Sequence, residues 1–351
     1  MRQNDKDRAV IMISKFVPLA AVLALVACGG SNPLGTGTSG DGTGGGGTDD
    51  GGIVSDRVLP PGTASPSRNT SIRRYEAKDA EGNGYARDMK YDAATDTFSV
   101  DNLGFDGANS YTRGVAVGSL GPYAVYESAM SYQDDVTGVP ISQFTHRAIY
   151  GVSKTGQTEF AVVRTGAYVD YGFGGFAYQR NGSVTLPTSG QAAFTGAYAG
   201  LRDFKGRSGL EYTTGDMRID IDFRDFNDGN AVKGYVWNRA IYDLAGNDIT
   251  NEVLTALNTK NSTTETALPT LTFKVGPGVM DINGEIAGQL SSFVQPTGKA
   301  AEEYESGKYY AVVSGTDPDE VTGIIVVESD DPRNDGVTAR ETGGFILYRK
   351  P

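Results

Sequence analysis

The sequence has few of the side chains that carry catalysis or bind transition metals. It contains one cysteine, Cys28, and one histidine, His146, in 351 residues. A single cysteine excludes an internal disulfide and a thiolate metal cluster, and zinc sites commonly use several histidines or cysteines. A Ser-His-Asp triad would depend on His146, and no Gly-x-Ser-x-Gly nucleophile motif lies beside it. We therefore predict a protein that is not an enzyme and that holds no metal.

The N-terminal region also lacks a hydrophobic run long enough to span a membrane as a helix, which takes about 20 residues. The uncharged run over residues 16–27 is shorter than that and follows four basic side chains. A basic flank before about 7–15 apolar residues is typical of a secretory signal peptide. We predict a signal peptide over residues 1–27, which starts at Met1 or Met12. The alternative is an uncleaved membrane anchor with a free cysteine.

Cys28 lies directly after that run, in the segment Leu25-Val26-Ala27-Cys28. This segment resembles the lipobox of bacterial lipoproteins. The resemblance implies cleavage before Cys28 and acylation of its thiol, with palmitate among the attached fatty acids. It also implies an outer-membrane location, because Gly29 stands where lipoproteins held at the inner membrane typically carry aspartate. Display on the cell surface is the interpretation we favour, and the periplasmic face is the alternative.

The segment after the cysteine has the composition of a flexible linker. Residues 29–52 are nearly all Gly, Ser, Thr and Asp, and residues 53–69 are rich in proline. Such a segment buries too little apolar surface to offset the entropy of ordering it. We predict a flexible tether over residues 28–69 that holds the folded part away from the membrane.

From about residue 70 to the end, apolar and polar residues alternate between turn residues, as in strands with one buried face. The clearest case is residues 217–223, where Met, Ile, Ile and Phe alternate with Arg and Asp. The Asp-Gly pair at 228–229 then predicts a hairpin. Residues 248–258 predict either one helix or a loop insertion, because their apolar side chains have helical spacing. The many short strands predict an all-β sandwich or barrel, and the length favours two domains.

Four C-terminal segments resemble the β-barrel domain of transferrin-binding protein B. Residues 186–196 resemble the opening Pro-Thr-Ser-Gly run of that barrel, and residues 217–238 match its second and third strands. Residues 315–323 resemble the family's Gly-Pro-x-Ala-Glu-Glu-x-x-Gly turn, although Asp319 replaces the alanine. The Gly-Gly-Phe at residues 343–345 fits the last strand.

The resemblance implies an antiparallel barrel of about eight strands over residues 184–351. It also implies a β-rich, handle-like domain over residues 70–183, as in this family and in the factor H-binding protein. Members bind host transferrin, lactoferrin, complement regulators or haem through variable loops. We therefore expect a non-catalytic binding lipoprotein for a protein or a small cofactor such as haem or an iron carrier. The alternative is a structural envelope lipoprotein without a diffusible ligand.

A few residues are weak candidates for ligand binding. His146 is a candidate axial ligand of haem, with a tyrosine as its partner. The aromatic run over residues 168–178 adds Tyr171, Phe173 and Phe176 as candidate contacts. The alternative for His146 is a position on a sheet surface. The alternative for the aromatic residues is that they form pairs that hold the sheet together.

The spacing of the acidic residues does not favour catalysis or calcium binding. Asp220 and Asp222 are spaced like a carboxylate pair, but they alternate with apolar residues, which is typical of a solvated strand face. The acidic turns near residues 317–320 and 328–331 lack the spacing of a calcium loop. Removing residues 1–27, with four positive and two negative groups, changes the net charge from −12 to −14. That charge disfavours nucleic acid and anionic lipid as partners.

Overall fold

The computed structural model describes residues 58–224, 231–275 and 278–351. The predicted signal peptide, Cys28, most of the predicted tether and the Asp-Gly turn at 228–229 lie outside these ranges. Within them, no helix has both the length and the apolar character needed to cross a membrane. The described chain is all-β with one helix, and it ends in a closed eight-stranded antiparallel barrel. The predicted fold class is therefore confirmed.

Nine strands of the N-terminal part form one antiparallel sheet in the order β1-β11-β10-β9-β6-β4-β3-β2, with β5 paired to β6. Strands β7 and β8 form a separate hairpin. The bounds are β1 Ile72–Tyr75, β2 Arg87–Asp92, β3 Thr97–Asp101, β4 Ser110–Arg113, β5 Ser119–Leu120, β6 Tyr123–Glu127, β7 Ser131–Gln133, β8 Pro140–Ser142, β9 His146–Val152, β10 Thr158–Thr165 and β11 Gly175–Arg180.

The remaining strands close into a barrel in chain order, because the last strand pairs back with the first. A helix, α1, connects the third and fourth barrel strands over Thr250–Asn261, where the sequence predicted a helix or a loop insertion. The bounds are β12 Gln191–Lys205, β13 Leu210–Asp222, β14 Ala231–Tyr242, β15 Leu271–Phe273, β16 Glu285–Val294, β17 Glu302–Ser314, β18 Glu320–Asp330 and β19 Thr338–Arg349.

Side-chain alternation fills the barrel interior. In β13, Met217, Ile219 and Ile221 are fully buried in the barrel core. Glycines in two strands leave room for the stacked rings of Phe273 and Tyr309, whose centroids lie 3.6 Å apart. A side chain at Gly234 would meet the Phe273 ring and one at Gly288 would meet Tyr309. These glycines are therefore part of the interior packing.

The sheet packs directly against the barrel wall. One apolar core contains Phe160 and Phe176 from the sheet together with Leu201 and Ile346 from the barrel. Gly344 in β19 has no side chain where the Phe160 ring lies, so the ring packs on the barrel backbone. The described part of the chain lies within one compact unit. The division into two domains at residue 184 stays a prediction.

The other face of the sheet curls over a second core. Phe98, Tyr111, Tyr126 and Ala161 are buried in this core, which contains no barrel residue. The curl brings the two edge strands close together, since the Arg87 guanidinium of β2 lies 4.9 Å from the Tyr75 ring centroid of β1. The sheet therefore bends almost into a closed cylinder.

The described end of the predicted tether makes specific contacts with the sheet. Two backbone hydrogen bonds join the segment to β1. The N–H of Thr63 donates to the carbonyl of Arg73, and the N–H of Tyr75 in β1 donates to the carbonyl of Pro61. The Arg180 guanidinium of β11 donates to the carbonyl of Ser67 at 3.0 Å. Residues 61–67 thus run along the outer edge of the sheet.

Candidate functional site

The histidine is buried at the start of β9, not on the sheet surface. His146 is 1% exposed, and its Nδ1 lies 3.2 Å from the carbonyl oxygen of Phe144. Burial lowers its pKa to about 4, so the ring is neutral at pH 7. The interpretation as a surface strand residue is wrong because His146 shares the inward face of β9 with Ala148. As an axial ligand it would have to leave this packed position.

The three candidate aromatic residues are part of the internal packing to different degrees. Phe176 is buried against Tyr310 of the barrel, with ring centroids 6.2 Å apart. Tyr171 is buried beneath the Arg340 guanidinium, which lies 4.1 Å from its ring centroid. Burial raises the pKa of Tyr171, and the neighbouring Glu328 adds to the shift. Phe173 is half-buried. Their role in ligand binding stays a prediction.

The other candidates lie on the outside of the barrel. Asp220 is held by Arg218, whose Nη2 lies 2.7 Å from its Oδ1, and is separated from Lys233 by 3.8 Å. On the same outer face of the barrel, the rings of Tyr235 and Trp237 are neighbours along one strand, with centroids 5.3 Å apart. The Asp220 carboxylate is thus engaged by two cations, as expected on a solvated strand face.

A hairpin of the sheet region exposes an unusual number of large apolar side chains. Val136 is 92% exposed, Met130 82%, and Phe105, on the loop bonded to the hairpin base, 59%. Val139 and Ile141 of the same hairpin are also exposed. We call these five residues the hairpin surface. Exposed apolar side chains scattered singly are common, whereas a concentration of them marks an interaction site. Sequence patterns missed it because the strands are short and polar.

Hydrogen bonds close the hairpin surface at its tip and at its base. Asp134 closes the tip, because its Oδ1 accepts from the backbone N–H groups of Val136 at 3.1 Å and Thr137 at 2.7 Å. These bonds, led by those from Thr137, lower the pKa of Asp134. At the base, Gln143 accepts from the N–H of Gly107 at 3.1 Å and donates its own N–H to the Met130 carbonyl at 2.9 Å.

The backbone of the adjoining loop is strained at its exposed aromatic residue. Phe105 has a φ of 57°, a left-handed conformation that is rare for a residue with a side chain. The next residue, Asp106, is buried and accepts from the Tyr111 hydroxyl at 3.0 Å. Burial raises the pKa of Asp106. A strained residue that the surrounding contacts fix is a recurrent feature of binding sites.

A chain of aromatic rings supports Phe105 from behind. Its ring centroid lies 5.1 Å from that of Phe144, and Phe144 lies 5.2 Å from Tyr168. The ring centroids of Tyr168 and Phe173 lie 5.1 Å apart, and those of Phe173 and Tyr85 lie 4.7 Å apart. The last three contacts are edge-to-face, a favourable geometry for aromatic pairs. The predicted candidate Phe173 therefore belongs to the support of the hairpin surface.

A second surface feature is an open cleft of about 380 Å³ beside the ends of β17 and β18. Its lining includes the carboxylates of Glu302, Glu303, Glu328 and Asp330, and Lys260 from α1. Over residues 58–224, 231–275 and 278–351, no group of three or more His, Cys, Asp or Glu is arranged to hold a metal ion. The cleft is therefore predominantly acidic.

No protein-family model matches the sequence, and no match was found among curated proteins. Among solved structures, the chain is similar to a double mutant of transferrin binding protein B from Haemophilus parasuis, with 12% identity and a TM-score of 0.36. The similarity covers 75% of this chain and 44% of that one. For intact Ap-TbpB the identity is 13%, the TM-score 0.33 and the coverage 75% and 46%.

A structure described as a surface lipoprotein has 11% identity and a TM-score of 0.28, and the similarity covers 57% of this chain and 80% of that one. The chain thus spans less than half the length of the transferrin binding proteins it is similar to. Two of these three solved structures are of transferrin-binding protein B, the family that the barrel motifs of the sequence resemble.

Proposed function

We propose that this protein is a lipid-anchored binding protein of the outer membrane, displayed on the cell surface, which captures a protein partner without catalysis. The observation that carries the proposal is the hairpin surface, five large apolar side chains exposed on one hairpin and its adjoining loop. Burying such side chains in a partner removes apolar area from water, at about 25 cal/mol per Å². A folded protein gains nothing from exposing them in isolation.

The hairpin surface has the properties of a preorganised binding element. The tip is fixed by Asp134 and the base by Gln143, so little conformational freedom remains to be lost on binding. Phe105 and Met130 supply large anchors of the kind that dominate interface energies. The strain at Phe105 fits a residue whose position is set by function.

Charge indicates what kind of protein would bind there. Asp134 and Asp135 lie at the hairpin tip, and the whole chain carries a net charge of −12. A partner with an apolar pocket and a basic rim would complement this surface and associate faster at low salt. We favour a protein over haem because His146, the one histidine of the sequence, is enclosed in the sheet.

The proposed lipid on Cys28 and the tether complete the arrangement. The roughly 30 residues between Cys28 and the first described residue would span roughly 30 Å as a flexible glycine-rich chain. That distance holds the folded body clear of the lipid headgroups. A binding surface on such a tether can reorient to meet a large partner.

Site-specific photo-crosslinking tests the proposal on intact cells. A benzophenone amino acid would replace Val136 or Met130, and Ile282, which is 76% exposed on the barrel, is the matched control. The cells would be incubated with serum and irradiated. We expect covalent adducts to one added protein from Val136 and Met130 and none from Ile282.

Three other results would contradict the proposal. Equal adducts from all three positions, or none, would show that the hairpin surface has no specific partner. Adducts only to the cell's own envelope proteins would favour the second candidate function, a structural envelope lipoprotein without a diffusible ligand.

A further inference from the structure

A groove of about 240 Å³ lies on the face of the curled sheet that points away from the barrel. Its floor is made by two small residues, Ala161 of β10 and Ala177 of β11, which are direct partners across the strands. Larger residues flank them in the same row, because Ala161 also pairs with Tyr150 and Ala177 with Tyr75. Two alanines between two tyrosines leave a depression in the sheet surface.

One wall of the groove is aromatic. The rings of Tyr91 and Tyr150 pack with centroids 5.0 Å apart, and Phe98 lies 5.7 Å from Tyr150. Both hydroxyl groups are already engaged, since Tyr150 donates to Glu159 at 2.8 Å and Tyr91 to Asp96 at 3.3 Å. The aromatic wall therefore presents ring faces to the groove, and ring faces suit a flat apolar group of a ligand.

The other end of the groove is polar and includes the positively charged Arg73. Arg73, Gln179 and Glu159 form a second row across β1, β11 and β10. The Glu159 carboxylate accepts three hydrogen bonds, from Tyr150 at 2.8 Å, Gln179 at 3.2 Å and Asn181 at 2.8 Å. Arg73, by contrast, is exposed and makes no ion pair within the described ranges.

We infer that this groove is a binding site for a small aromatic carboxylate. The ring would lie on the alanine floor against Tyr91 and Tyr150, and the carboxylate would accept from the Arg73 guanidinium. A guanidinium and a carboxylate form bidentate, charge-assisted hydrogen bonds, which are stronger than neutral ones. The volume fits a ligand with one or two rings and excludes a macrocycle or an extended peptide. The site is separate from the hairpin surface and does not depend on the function proposed for it.

Calorimetric titration of the purified full-length protein in detergent tests this site with three probes of nearly equal shape. These are benzoate, benzyl alcohol and benzylamine, which are anionic, neutral and cationic at pH 7. We expect benzoate to bind saturably with the highest affinity and benzylamine with the lowest. Arg73→Gln should weaken benzoate binding about tenfold, because a hydrogen bond to a charged group is lost. It should leave benzyl alcohol unchanged.

Arg68→Gln is the matched control, since Arg68 is also exposed and precedes the same strand outside the groove. It should bind benzoate like the native protein. Ala177→Val fills the floor and should reduce the binding of all three probes, and its thermal unfolding shows whether the fold is intact. If Ala177→Val does not fold, the comparison of benzoate binding between Arg73→Gln and the native protein still tests the inference.

The inference is overturned by any of three results. One is the absence of saturable benzoate binding up to about 10 mM, which corresponds to less than about 3 kcal/mol of binding free energy. Another is unchanged benzoate affinity in Arg73→Gln, and the third is tighter binding of benzylamine than of benzoate.

Discussion

Arg74 in the sheet and Glu285 in the barrel form a buried two-pronged ion pair, with Nε–Oε1 at 2.6 Å and Nη2–Oε2 at 2.8 Å. Arg74 lies on β1 and Glu285 begins β16, so the pair joins the two parts of the fold. Removing one partner of a buried pair leaves an uncompensated charge, which typically costs about 3–5 kcal/mol. We predict that Glu285→Gln lowers the free energy of unfolding by about that amount, measured by urea denaturation.

The exposed pair of Glu81 and Lys205 provides the control. It also joins the sheet region to the barrel, at 3.2 Å, but both side chains are more than half exposed. Exposed pairs contribute about 0–1 kcal/mol, so Glu81→Gln should change stability little. Equal losses of unfolding free energy in Glu285→Gln and Glu81→Gln would mean that Glu285 contributes no more to stability than a surface charge.

The buried histidine predicts a dependence of stability on pH. The ordinary pKa of His146 is 6.5, and burial lowers it to about 4 in the folded protein. Between these values the unfolded chain binds more protons, so stability falls as the pH is lowered. From pH 7 to pH 5 the contribution of this group should fall by roughly 2 kcal/mol.

Denaturant unfolding of the native protein and of His146→Gln at pH 7 and pH 5 measures that contribution. Carboxylates titrate in both proteins, so the difference between their pH dependences isolates the histidine. Parallel pH dependences would show that His146 is not held neutral by burial.

The hydrogen bonds at the hairpin tip predict its rigidity. Asp134→Ala removes the acceptor that holds the N–H groups of Val136 and Thr137. We expect faster hydrogen exchange at these two amides, with unchanged exchange in the buried strand β10. Thr70→Ala, at another exposed turn, serves as the control. Unchanged exchange at the tip in Asp134→Ala would refute the capping role.

Local patterns in the sequence foretold much of the fold. Alternation over residues 217–223 predicted β13, and the helical spacing near residues 248–258 predicted α1, because each depends on nearest neighbours in one element. The burial of His146 was not predicted, because β9 carries apolar side chains on both of its faces and period two alone does not show that the face of His146 and Ala148 is covered. The barrel motifs indicated the closed sheet.

The contacts between distant parts of the chain had no signal in the sequence. Nothing in the neighbourhood of Arg74 indicates Glu285, which lies 211 positions away. Phe176 is buried because the barrel covers it, and its own strand does not reveal that. The hairpin surface was missed because Val136 and Met130 lie in a short polar segment whose exposure follows from the tertiary fold.

Metabolic labelling with radioactive palmitate tests the central claim most directly, in cells that carry the native protein or Cys28→Ala, with protease added to intact cells in parallel. We predict label on the native protein only and digestion of its folded body from outside. Label on neither form would contradict the lipid anchor. Label with full protection from protease would contradict surface display and place the protein on the periplasmic face.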